Sequence, residues 1–160
     1  MFLILIHSVD KTLEKEVKMA SNAFAGVGTL FRRWSGSDWA NIAEVNSISG
    51  PSMSRDTIDV TSLDSTGGYR EFIAGFRDPG TVQLNMNFTR TTFDLMKTDF
   101  ESDTAQNYEI FLSDTEGTSL EFVGLVTELP VEITTDDKVT SSVTIKITGQ
   151  VTVNSGSGSA

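Results

Sequence analysis

The chain has 160 residues, 38% of them hydrophobic, a net charge of −10 and no cysteine. That length suits one domain with a real core, and the missing cysteines exclude a disulfide framework and a thiolate metal site. The acidic balance argues against a general nucleic-acid-binding surface, which needs clustered Lys and Arg to displace counterions, and does not exclude a protein that tolerates DNA nearby without holding it.

Residues 1–18 differ in character from the rest. Met1–Ile6 is apolar but far too short to span a membrane. No basic residue precedes it and His7-Ser8-Val9-Asp10 breaks it, so it makes a poor signal peptide. Lys15-Glu16-Val17 can be encoded by AAG GAG GTN, a purine-rich ribosome-binding sequence just ahead of the Met19 codon. The segment is expected to be an untranslated leader read as protein. The other reading is a disordered or amphipathic arm, because Leu13, Glu16 and Val17 have helical spacing. The only histidine, His7, lies in this piece.

Gly26-Val27-Gly28 lacks the third glycine of a phosphate cradle and reads as a flexible entry into a strand over Thr29–Trp34. Ser35-Gly36-Ser37-Asp38 is a turn. Trp39–Ser49 reads as one strand of poor alternation, broken by Gly50-Pro51, and Met53–Thr61 extends again. Thr61–Gly80 has no clean period and reads as a long loop. Such loops are uncommon inside compact domains and are then usually functional. This one carries Tyr69, Phe72, Ile73 and Phe76, more apolar area than a surface loop displays without a partner. It is therefore expected to be an assembly loop; the alternative is a short helix or strand folded onto its own core.

Thr81–Arg90 alternates strictly. Val82, Leu84, Met86 and Phe88 face one way and Thr81, Gln83, Asn85, Asn87 and Thr89 the other, the pattern of a half-buried strand. Thr91–Ser102 reads as a helix, with Thr91 and Asp94 placed to cap it and Phe93, Met96 and Phe100 on one stripe. Tyr108, Ile110 and Leu112 open another strand, closed by a turn at Asp114–Gly117. Leu120–Ile133 changes phase at Gly124, where a bulge is expected. Pro130 removes a ladder donor, so this strand is bent, at an edge, or really two. Asp136-Asp137-Lys138 is a hairpin tip. Val139–Val153 alternates without error, and residues 154–160 are a flexible Gly/Ser tail. Two strand faces are polar yet nearly free of charge: one with Gln83, Asn85 and Asn87, the other with Thr144 and Thr148. Solvated strand faces usually mix in Lys and Glu, so these are expected to touch another subunit; the alternative is an ordinary wet sheet face.

Enzyme readings fail on inventory. Without residues 1–18 no Ser-His-Asp or Cys-His set exists. Glu128 and Glu132 share a strand parity, but spacing alone does not place two carboxylates across a cleft. Asp136-Asp137 with Thr134 and Thr135 lacks the ligand count and the glycine of a dedicated calcium loop. No catalytic, metal or cofactor site is expected. The elements add up to a mainly β domain, an antiparallel β-sandwich or partly closed barrel of about seven or eight strands with one flanking α-helix.

Several segments together resemble the major tail tube protein of long-tailed, non-contractile phages. They are Met19–Trp34, Ile58-Asp59-Val60-Thr61, Gly67-Gly68-Tyr69, the run Glu71–Phe76, and Asp78-Pro79-Gly80 before the next strand. The resemblance covers residues 19–153, which would be the tube domain. It implies a structural subunit without cofactors, forming stacked hexameric rings that conduct DNA. Its partners would be other copies of itself and neighbouring tail proteins, with no membrane anchor and no specific hold on the DNA. Assembly would take place in the bacterial host cytoplasm, and the subunit would end in the virion tail. The corresponding loop of that family joins subunits and successive rings. Other readings are a carbohydrate-binding or adhesin sandwich, or the tube subunit of a gene-transfer particle, a bacteriocin or a secretion system.

Overall fold

The computed structural model describes residues 23–156; residues 1–18 lie outside them, as does most of the Gly/Ser tail. Among the described residues ten strands and one α-helix form in chain order, with a single 3-10 turn at Thr66–Gly68. They are β1 (Leu30–Trp34), β2 (Trp39–Asn41), β3 (Val45–Ser49), β4 (Ser54–Asp59), β5 (Phe72–Asp78), β6 (Thr81–Asn87), α1 (Arg90–Phe100), β7 (Gln106–Phe111), β8 (Thr118–Glu128), β9 (Val131–Glu132) and β10 (Thr140–Ser155). The main sheet is antiparallel, in the order β2-β1-β7-β8-β10-β6-β3, with β9 beside β10. Strands β4 and β5 pair only with each other.

The expected single strand Trp39–Ser49 is two, and they lie at opposite ends of the sheet. Ile42–Glu44 joins them, with Glu44 at a φ of 63°. From Asn41 to Val45 the chain spans at most about 14 Å, so the sheet must curl until its ends approach. The Ile42 N–H donates to the Phe31 carbonyl (2.8 Å) and the Asn87 N–H to the Glu44 carbonyl (2.9 Å), tying the link to both ends. The two end strands are not paired with each other, so the curl stops short of a closed barrel. Of the two packings expected, this partly closed sheet is the one found.

Its inner face holds the core. Val82, Leu84 and Met86 of β6, Val143, Ile145 and Ile147 of β10, Tyr108 and Ile110 of β7, Phe122 of β8, Phe31 of β1 and Met96 of α1 are all buried. Strand β8 keeps its phase through Gly124, contrary to the expected switch: Phe122, Gly124 and Val126 all point inward and Leu125 is exposed. The register shifts lie elsewhere, between Thr144 and Ile145 and between Thr148 and Thr152 of β10. Glycine stands at position 124 because nothing larger fits: a Cβ there would lie 2.5 Å from Ile145 Cγ2 and 3.0 Å from the Lys146 carbonyl. Gly124→Ala is expected to lower stability by about 1–3 kcal/mol through overpacking. Urea unfolding checks this, and an unchanged midpoint would mean that the sheet has slack at this point. Pro130 splits the long segment, with β8 ending at Glu128 and β9 starting at Val131.

The helix also sits differently. Its N-cap is Thr89, whose side chain accepts from the Thr92 N–H, rather than the expected Thr91. The buried positions are Thr92, Met96 and Asp99; Phe93 packs on the Phe88 ring at 5.3 Å, and Phe100 is exposed. The helix is rotated from the Phe93–Met96–Phe100 stripe because a carboxylate, Asp99, must reach polar partners beneath it.

Candidate functional site

Of the segment expected as a loop, Phe72–Asp78 forms strand β5, and residues 61–71 remain a connection at its far end. Strands β3 and β6 pair with Ser49 opposite Gln83, and five residues further out Ser54 lies opposite Asp78 in the same register. One β-ribbon therefore leaves the sheet, bends, and continues as an arm. Two glycines permit the bend. Gly50 has a φ of +104°, and a Cβ there would lie 2.4 Å from the Thr81 carbonyl oxygen; one on Gly80 would lie 2.0 Å from that of Ser52. At the far end Thr61 and Glu71 close the arm, the Thr61 N–H donating to Asp59 Oδ1 and the Glu71 N–H to Thr61 Oγ1, each at 2.9 Å. Hydrogen bonding by the Thr61 side chain, then by its N–H, holds the Asp59 carboxyl below the usual carboxylate range.

All six residues of β4 are exposed, and in β5 only Gly75 is partly covered. The sequence shows no clean period here because neither face packs on the domain, so nothing selects for alternation. Pairing gives the arm two different faces. Ile58 lies opposite Ile73, with Val60 on the same parity. On the other face Arg55 lies opposite Arg77, Thr57 opposite Ala74 and Asp59 opposite Phe72. Of the four residues expected in an assembly loop, Phe72, Ile73 and Phe76 lie on β5 and Tyr69 near the tip; Phe76 is 90% exposed and Tyr69 79%.

The two polar strand faces turn out to be one. Strands β6 and β10 are neighbours, with Gln83 opposite Thr144, Asn85 opposite Ser142 and Asn87 opposite Thr140. Strand β3 widens the patch with Ser47 opposite Asn85 and Ser49 opposite Gln83. Thr148 extends it along β10, beside Val123 of β8. Side chains bond across it: Asn85 Nδ2 donates to Ser47 Oγ (3.0 Å), Asn46 Nδ2 to Asn87 Oδ1 (2.9 Å) and Thr144 Oγ1 to Glu128 Oε2 (3.1 Å). Lys146, the cation of this face on β10, is held by both Asp78 oxygens at 2.8 and 3.0 Å. That contact, with the Gly80 N–H, keeps the Asp78 carboxyl below its usual range.

A buried network that sequence reasoning missed fixes the helix to the sheet. Arg33 Nε and Nη2 donate to the two oxygens of Asp99 at 2.6 and 2.5 Å, and the Tyr108 hydroxyl donates to Asp99 Oδ2 at 2.9 Å. Burial first, then the Asp99 charge, pushes the Tyr108 phenol well above its ordinary value, so it stays a donor. The bond to Asp99 likewise raises the Arg33 guanidinium. The available signal was an acidic residue at the helical spacing of Thr92, Met96 and Asp99. Among the described residues no group of three or more His, Cys, Asp and Glu is placed to hold a metal ion, and no helix is long and apolar enough to cross a membrane.

This curled sheet, with one helix inside the curl and an arm outside it, is the fold of subunits that build hollow tails and injection tubes. The chain resembles a subunit from the tail of an empty gene transfer agent particle determined with C6 symmetry, at 21% identity and a TM-score of 0.69, covering 83% of this chain and all of that one. It is also similar to a chain of the sheath–tube complex of an extracellular contractile injection system, at 16% identity and a TM-score of 0.60, covering 79% and 88%. A third likeness is to the SPP1 tail tube, at 7% identity and a TM-score of 0.58, covering 79% and 75%. No curated protein matches the sequence. The chain belongs to the lambda phage tail tube protein family, whose model matches residues 22–154. It is a structural protein of the virion tail.

Proposed function

We propose that this chain is the repeating subunit of a phage tail tube, stacked in hexameric rings around a channel through which DNA leaves the capsid. The observation that carries this reading is the single wide face made by β3, β6 and β10, polar and hydrogen-bonded within itself, with its lysine, Lys146, paired to Asp78. Gln83, Asn85, Asn87, Thr144 and Thr148 line the channel. DNA carries one negative charge per ~1.7 Å of axis, so a basic wall would grip it at every step. A wall of amides and hydroxyls, with Lys146 neutralised by Asp78, offers no such grip, and DNA passes without specific binding. Strands from neighbouring copies cover the free sheet edges, and Tyr69, Phe72, Ile73 and Phe76 of the arm join copies and rings. The subunit needs no cofactor and carries out no reaction; its partners are its own copies and neighbouring tail proteins, and it assembles in the host cytoplasm. A gene-transfer particle is a second owner for the same tube, favoured by the likeness to the gene transfer agent tail.

Negative-stain images of the concentrated protein test the tube: rings or tubes support it, and featureless monomers at all concentrations defeat it. The channel wall is tested by Asn85→Lys and Thr144→Lys. On a plain solvent face each changes stability by no more than about 0.5 kcal/mol and does nothing else. On the wall each repeats around every ring as a positive band and slows DNA ejection, more at low salt, where the screening length is longer. Normal ejection by both variants at two salt concentrations would mean that this is an ordinary wet face.

A further inference from the structure

Arg55 and Arg77 stand directly opposite each other on the arm. Like charges in that register repel and destabilise the pair, and the chain places them there against a large excess of acid. Among the nine described Lys and Arg residues, six make ion pairs and three do not: Arg55, Arg77 and Lys138. The nearby acids do not relieve the rung. Asp59 is paired with Arg70 and Asp78 with Lys146, while Asp56 belongs to the opposite face of the ribbon. Both arginines line an open groove of about 630 Å³, with Met53, Pro79, Gln150 and Val151 also on its walls, together with Asp78, whose charge is matched by Lys146. The groove is thus a cationic cleft at one end of an acidic molecule.

The other end is acidic. Strand β10 runs from Thr140 to Thr148 over roughly 26 Å. Near Thr148 lies the arm; at Thr140 lies Glu132, directly opposite it. The turn residues Asp136 and Asp137 gather at that same end, and these three carboxylates are exposed with no ion pair, Lys138 being the cation beside them. A polymer of identical copies uses heterologous, head-to-tail contacts, in which one end of a copy meets the opposite end of the next. The charges of the two ends are complementary in that arrangement.

We propose that the Arg55–Arg77 rung is the receptor half of a copy-to-copy contact, taking the carboxylates of Glu132 and Asp136 from the next copy. The inference rests on the tube reading and deepens it. Two guanidinium forks can each bind a carboxylate in bidentate fashion, and the second copy removes the repulsion that the isolated arm carries. The contact therefore favours the assembled state over the free chain twice over, by pairing and by relief.

The test is a charge exchange on the full chain, read by sedimentation and negative stain, with circular dichroism to check folding. Arg55→Glu with Arg77→Glu is expected to stay folded and to raise the critical concentration for assembly at least about tenfold, or ~1.4 kcal/mol. Adding Glu132→Arg and Asp136→Arg to the same chain is expected to restore assembly, since each contact regains opposite charges. Assembly of the first variant at the parent's concentration overturns the rung contact and leaves the tube standing. Loss without rescue also overturns it, and gives the rung to another partner: DNA, if the parent alone retards a short duplex at low salt. A parent that never assembles removes the tube reading and the contact with it.

Discussion

Phe72→Ser combined with Phe76→Ser is expected to leave a folded monomer that no longer grows into tubes. Neither ring contributes to the domain core, for Phe72 is 53% exposed and Phe76 90%, and the arm they sit on pairs only with itself. Removing them should therefore leave the unfolding midpoint almost unmoved. In an assembly each ring is buried against a neighbour, and burial of a large apolar side chain is worth about 1.5–3 kcal/mol. Two such losses in every contact raise the critical concentration by roughly two to four orders of magnitude. Sedimentation measures assembly and circular dichroism measures folding on the same samples. Polymerisation by the double variant at the parent's concentration would strip the arm of its assembly role.

Asp99→Ala is expected to be the most damaging single change in the domain. Asp99 is 2% exposed, and it is the shared acceptor for Arg33 and for the fully buried Tyr108. Truncation leaves a largely buried guanidinium without its counter-charge and a buried hydroxyl without an acceptor. Breaking one side of a buried pair costs about 3–5 kcal/mol, a large part of the 5–15 kcal/mol that holds a typical domain together. Replacing the whole network with apolar residues of similar volume should be far milder, because no orphan charge remains. Thermal and urea unfolding of the single variant and of the Asp99→Leu, Arg33→Met, Tyr108→Phe triple variant separate the two cases. A loss below about 1 kcal/mol for Asp99→Ala would mean that water or a neighbouring group takes over the carboxylate's role.

Element type was legible wherever one face of a strand is buried and the other wet. The strict alternation of Thr81–Phe88 and Val139–Ile147 returned as β6 and the inner half of β10, with Val82, Leu84, Val143 and Ile145 inside. The alternation of β10 stops meaning burial past Gly149, whose φ of 80° turns the strand, and Val153 is left 64% exposed. The arm was legible in composition but not in form. Tyr69, Phe72, Ile73 and Phe76 marked it as an unusually apolar exposed stretch. Its first strand, β4, was read in the extended stretch Met53–Thr61, but β5 stayed hidden because a ribbon exposed on both faces has no period to show.

Composition and local pattern alone identify a mainly β, acidic chain with a helix after its clearest strand, two polar strand faces and an apolar excursion between Thr61 and Gly80. Each of these rests on local chemistry: side-chain alternation, helical spacing, and residue types that need or refuse water. Tertiary structure decided what lies beside what. It brought the face of Gln83, Asn85 and Asn87 against that of Thr144 and Thr148, placed Arg55 opposite Arg77, and turned α1 so that Asp99 rather than Phe100 went inside. It also split Trp39–Ser49 across the two ends of the sheet. These are pairings between residues dozens of positions apart. They are set by strand register and by the curl of the sheet, and no local pattern in a single chain encodes either one.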